Sequence, residues 1–139
     1  MITLCFVLAL ASTIPSTYAS SQSGKTYIIS IIGCQSDQSC FVPCQITITT
    51  GDTIMWVNKD TVAHMVIAGN GQGGSSGQFS SSIIPQNGIF YHEFDRKGAF
   101  TYYDGTSPSS EGVVIVDSST NSDFVKLQQS YFTNWWCAR

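Results

Sequence analysis

The chain has 139 residues, of which 42% are hydrophobic, 12% aromatic and only 11% charged, with a formal net charge of −3. That length suits one domain with a real core, and the apolar and aromatic content excludes a disordered tail or a multidomain enzyme. A mildly acidic chain without a basic cluster excludes nucleic acid and an anionic membrane surface as partners; Ser and Thr, 33 residues together, take the place of the missing charges.

Taken in order, Ile2 to Ala11 is almost uninterruptedly apolar and is followed by Pro15 and small residues up to Ala19. This pattern is read as a signal peptide over residues 1–19, too short for a helix of about 20 residues across a bilayer. No Lys or Arg precedes the apolar run, so the terminal amine or an upstream start supplies the positive charge; a buried N-terminal strand is the alternative. The expected location is therefore secreted, periplasmic or cell-surface, with no transmembrane span after cleavage. Cys5 leaves with the signal, and Cys34, Cys40, Cys44 and Cys137 remain. An even count in an exported chain implies disulfides, with three pairings open. The expected one closes a local loop through Cys34–Cys40 and ties the tail to the body through Cys44–Cys137.

Residues 20–117 form the expected domain. Thr26–Ile32, Gln45–Thr50, Thr53–Val57, Val62–Ala68, Ile89–Phe94, Ala99–Tyr103 and Gly112–Val116 are rich in sheet-forming or alternating residues and are separated by turn chemistry. Between them, Gly69 to Gly77 is expected to be a flexible loop; no Lys follows it, which excludes a phosphate cradle. Seven or eight strands at this spacing predict an all-β antiparallel sandwich or barrel. The remaining 118–139 begins with a helix-start pattern at Thr120 to Asp123, and Phe124, Leu127, Tyr131 and Trp135 then recur at helical spacing. A short amphipathic C-terminal helix is expected. Its apolar face either packs on the chain's own sandwich or serves a partner protein, self-assembly or a membrane interface.

Two segments carry a resemblance. The first is Trp56-Val57-Asn58-Lys59-Asp60-Thr61-Val62-Ala63-His64-Met65-Val66. The second runs from Phe90-Tyr91-His92-Glu93-Phe94 through Tyr102-Tyr103-Asp104-Gly105-Thr106-Ser107-Pro108-Ser109-Ser110-Glu111-Gly112 to Val116. Together they resemble a cupredoxin of the plastocyanin/amicyanin type over about Thr26 to Val116. The resemblance implies a Greek-key β-sandwich, ancestral electron transfer and a copper site. It also implies the Cys34–Cys40 loop found in some microbial relatives. Position by position, His64 matches the first copper ligand, while Asp104 stands where Cys belongs, Ser107 where the second His belongs and Ser110 where Met belongs. The flanking Tyr103, Pro108 and Gly112 are retained, Asn58 is the residue that ties loops together, and Trp56 is a structural core residue.

Losing the thiolate changes the chemistry. Blue-copper electron transfer needs a soft thiolate, two imidazoles and a weak axial thioether. A carboxylate at Asp104 is a hard ligand favouring Cu(II) or zinc, and the Ser107 and Ser110 hydroxyls are poor ligands. Three readings of His64 and Asp104 follow. They form a hydrogen-bonded pair in a degenerate site; or they hold Cu(II) or zinc weakly with water and the two serines; or they act in acid–base catalysis, for which no supporting motif exists. His92 alternates in phase with Phe90 and Phe94, as a structural histidine does. Neither paired glycosidase carboxylates nor a nucleophile elbow occur, so no enzyme activity is expected. The sequence thus predicts a non-redox binding or assembly module, with a weak copper-binding protein as the alternative.

Overall fold

The structure is a computed structural model describing residues 24–33 and 39–118. The expected signal peptide, Cys34, the expected C-terminal helix and Cys137 lie outside the described residues. Within them are nine strands: β1 Thr26–Ile31, β2 Phe41–Val42, β3 Gln45–Thr49, β4 Thr53–Asn58, β5 Val66–Asn70, β6 Gly74–Ser80, β7 Ile89–Glu93, β8 Gly98–Asp104 and β9 Ser107–Asp117. They build two sheets, β2-β1-β4-β7 and β3-β9-β8-β5-β6.

Alternation decides which side chains meet between the sheets. Ile29 and Ile31 of β1, Ile54 and Trp56 of β4, Ile46 and Ile48 of β3, Phe100 and Tyr102 of β8, and Val114 and Val116 of β9 are all buried. Their strand neighbours point outward, as a period of two requires. Trp56 lies at the centre, stacked on Phe90 at 5.4 Å and edge-on to Tyr102 at 5.3 Å. Beside it, Phe94 meets Phe79 and Phe100 edge-on.

Two features differ from the sequence expectation. The sheets are mixed and not antiparallel throughout, because β1 pairs parallel with β4 and β3 parallel with β9. A parallel pair needs a crossover; here the chain leaves β1, runs through β3 in the opposite sheet and returns as β4. The second correction concerns Gly69 to Gly77, which is the β5–β6 hairpin and not a loop. Its glycines conceal strand character: Gly69 has φ +130° at a bulge, and a Cβ there would meet the Gly74 carbonyl oxygen at 2.1 Å. Close backbone approach is what this glycine provides.

At one end of the sandwich, buried Asp52 accepts from the Lys25 and Thr49 backbone amides and from the Thr49 hydroxyl at 2.7–2.8 Å. The opposite end carries His64 and Asp104.

Candidate functional site: an aspartate-histidine-aspartate clamp

Asn58 ends β4 and organises the segment that follows. Its Nδ2 donates to the Val62 and Ile84 carbonyls at 2.8 and 2.9 Å, while its Oδ1 accepts from the Asp60 amide at 2.8 Å. This fold-over presents His64, whose backbone exchanges hydrogen bonds with Ile84 in both directions, at 3.1 and 2.8 Å. Asp104 closes β8 just before a tight turn at Gly105 and Thr106, and the Gly105 amide donates to the Met65 carbonyl at 2.8 Å. Two segments forty residues apart are thereby joined.

The imidazole of His64 sits between two carboxylates. Nδ1 lies 2.6 Å from Asp104 Oδ2, and Nε2 lies 3.0 Å from Asp60 Oδ2. His64 is 2% exposed and Asp104 is fully buried, whereas Asp60 keeps some solvent contact at 16%. Ionised carboxylates only accept hydrogen bonds, so both contacts are satisfied when both ring nitrogens carry a proton. The hydrogen bond from His64 is the main cause that holds the Asp60 carboxyl below the usual aspartate range, with the Thr61 amide helping.

Asp104 has no oxygen to spare. Oδ1 accepts from the Met65 amide at 3.1 Å, the Thr106 amide at 3.0 Å and the Thr106 hydroxyl at 2.9 Å; Oδ2 takes His64 and shares that hydroxyl at 3.0 Å. A buried carboxylate with this many donors is solvated by the protein itself.

The other sequence candidates are not hydrogen-bond partners of the His64 ring or of the Asp104 carboxylate. Ser107 faces Asp104 across the β8–β9 hairpin and is half-buried. Ser110 is buried, and its hydroxyl accepts from the Cys40 amide at 2.7 Å. Pro108 touches the β5–β6 turn, where a Cβ on Gly71 would strike its carbonyl. Gly112 lies under the Tyr102 ring, and Tyr103 pairs with Ile67 of β5. His92 packs on the rings of Phe79 and Phe94 at 4.5 and 4.7 Å, and burial pushes its pKa down. Cys40 and Cys44 are each disulfide-bonded. Sequence reasoning missed Asp60 and Thr106. Both were visible as turn residues, Asp60 two after Asn58 and Thr106 two after Asp104, where short polar side chains bond nearby backbone.

The arrangement of strands has close parallels. A purple cupredoxin from Nitrosopumilus maritimus superimposes with a TM-score of 0.59 and 26% identity, covering 65% of this chain and 98% of its own. The fold is that of the cupredoxins. Two amicyanin variants in their Cu(I) forms match with TM-scores of 0.54 and 0.53 at 18% and 17% identity, covering 66% and 71% of this chain and 82% and 87% of theirs. No family model matches the sequence, and no curated protein matches it.

The cupredoxin fold implies copper, and the residues at this corner do not fit it. Tetrahedral bonds of about 2.0–2.2 Å to nitrogen and oxygen would set the two donors roughly 3.3 Å apart, yet Nδ1 and Oδ2 are 2.6 Å apart. The two carboxylates also flank opposite ring nitrogens, so no single ion can touch all three groups. Among the described residues, no cluster of three or more His, Cys, Asp or Glu side chains could hold a metal.

Proposed function

We propose that this chain is an exported, non-enzymatic and non-redox binding or assembly module, in which a hydrogen-bonded clamp takes the place of the cupredoxin copper centre. The observation that carries the reading is the 2.6 Å contact between His64 Nδ1 and Asp104 Oδ2, with every Asp104 oxygen already engaged. A metal would have to displace these hydrogen bonds, and the donor set lacks the thiolate on which rapid one-electron exchange depends.

Export is supported by the apolar 2–11 segment ahead of Ala19 and by disulfide-bonded Cys40 and Cys44, since disulfides persist in oxidising compartments. Among the described residues, no helix is long and apolar enough to cross a membrane. A contact role is supported by the outer face of the four-stranded sheet. Ile28, Tyr91, Ile89 and Val42 project from it about half exposed, and Met55 lies between Ile28 and Tyr91 in the pairing register. Apolar side chains grouped in this way on an exposed surface mark an interaction site.

Cu(II) added to the purified, disulfide-intact protein and then dialysed tests the reading. The expected result is no stoichiometric retention and no intense blue band. A stoichiometric colourless complex that disappears in His64→Ala would establish instead the weak Cu(II) or zinc site at His64 and Asp104, and an intense blue band would restore the electron-transfer role.

A further inference from the structure

Each sheet ends in strands with one unpaired edge, and among the described residues these are β2, β7, β3 and β6. Natural sheets blunt such edges by shortness, bulges, charge or proline. Three of them are blunted here. β2 has two residues, the β5–β6 pairing slips register between Ile67 and Gly69, and the Thr49 amide on β3 is taken by the Asp52 carboxylate at 2.8 Å. β7 is the exception. It pairs with β4 in unbroken register from Ile89 to Glu93 and contains neither lysine nor proline. We propose that the β7 edge joins a second copy of this chain, strand to strand and antiparallel, about a two-fold axis at Tyr91. This names the partner for the contact role proposed above and rests on that reading.

Two backbone bonds fix which way the β7 peptide groups point. The Asn58 amide donates to the Gly88 carbonyl at 3.0 Å, and the Phe94 amide donates to the Asp52 carbonyl at 2.9 Å. Antiparallel alternation between these two bonds turns the N–H and C=O of Phe90 and His92 towards β4. Those of Ile89, Tyr91 and Glu93 point the other way, to an edge on which no described strand pairs. The side chains of Ile89 and Tyr91 are half exposed beside that edge. Unpaired peptide groups flanked by apolar side chains suit the addition of another extended strand.

A second copy fits because the strand complements itself. With the axis at Tyr91, the outward peptide groups of Ile89, Tyr91 and Glu93 meet those of Glu93, Tyr91 and Ile89 in the copy, and all of them are used. Directly opposite side chains are Tyr91 with Tyr91 and Ile89 with the aliphatic stem of Glu93, and on the inner side Phe90 with His92. No like charges are opposed. Ile28, Met55 and Tyr91 lie in one row across the outer face, and the axis continues that row into the same row of the copy. The neighbouring row of Val42, Ser30, Val57 and Ile89 is also uncharged. The two four-stranded sheets thereby become one sheet with an apolar, uncharged outer face.

The test follows the purified, disulfide-intact chain over a concentration series by analytical ultracentrifugation and amide hydrogen exchange. The mass should double as concentration rises, and the Ile89, Tyr91 and Glu93 amides should become protected in the dimer. Those of Phe90 and His92, bonded to β4, should be protected throughout. Tyr91→Lys sets two ammonium groups across the axis and should keep the chain monomeric. Tyr91→Pro, which removes an outward N–H that β4 does not use, should do the same and serves if the lysine variant does not fold. Ile28→Glu, two strands away on the same face, should still dimerise. A chain monomeric at every concentration, protection of the three amides in the monomer, a dimer in which they stay unprotected, or a dimer lost in Ile28→Glu and kept in the Tyr91 variants would each overturn the proposal. Copper retention has no bearing on these readouts, so the failure of one reading is distinguishable from the failure of the other.

Discussion

At the scale of single residues, Asp104 is defined by the donors that converge on it: two backbone amides, one hydroxyl and one imidazole. Removing it leaves all four unpaired in a buried site, and truncating one member of a buried pair costs about 3–5 kcal/mol. Asp104→Ala is expected to lose stability in that range by denaturant unfolding, and Asp60→Asn, at the exposed side of the ring, much less. Tyr102 provides the opposite case. Its hydroxyl and the Trp56 indole N–H are the buried side-chain polar atoms without a hydrogen bond of ordinary geometry among the described residues, although the N–H lies near enough to weigh slightly on the phenol. Burial dominates and pushes the Tyr102 pKa well above the usual tyrosine range. Because nothing is properly bonded to it, Tyr102→Phe should be neutral or stabilising, where losing a real partner would cost about 1 kcal/mol. His92 sets a pH dependence. Its folded-state pKa lies below the unfolded value of about 6.5, so the unfolded chain takes up the proton first as pH falls. Stability from this group is intact above that value and declines as pH falls towards the folded-state pKa. His92→Gln should flatten the acid side of the Tm-versus-pH curve, and an unchanged slope would contradict this.

At the scale of elements, the β8–β9 hairpin carries the site because its glycines allow close packing. A Cβ on Gly112 would lie 2.3 Å from the Tyr102 ring, and overpacking of this kind costs about 1–3 kcal/mol. Gly112→Ala should show that loss by thermal unfolding, and the double variant with Tyr102→Ala should lose less than the sum of the two single variants. How much of each element was legible follows from the same physics. β3 and β7 declared themselves by alternation, since one face of each is buried, and β1 by its run of sheet-forming residues. The β5–β6 hairpin did not, because a glycine-rich bulged strand has few side chains with which to display a period of two. The site was legible in half. The order of His64 and Asp104 within a known scaffold predicted their meeting, whereas Asp60 joins through a local fold-over at Asn58 that leaves no periodic trace.

At the scale of the whole molecule, the arrangement is a scaffold with one end closed. The sandwich and its core are readable from the strand pattern, but the parallel pairing of β1 with β4 and β3 with β9 is not. Pairing direction depends on which sheet each strand joins, and that choice is made by contacts distant in sequence. Charge, at −3 overall, offers little long-range steering, so the proposed contact role rests on apolar contact and shape. The His64 ring reports directly on the closed end. A long-range proton–nitrogen NMR spectrum of the His64 imidazole, followed during addition of zinc, is the decisive measurement. With both ring nitrogens engaged by carboxylates, the nitrogen shifts are expected to stay in place as zinc is added. A ring nitrogen that loses its proton and moves to the metal-bound range at stoichiometric zinc would contradict it.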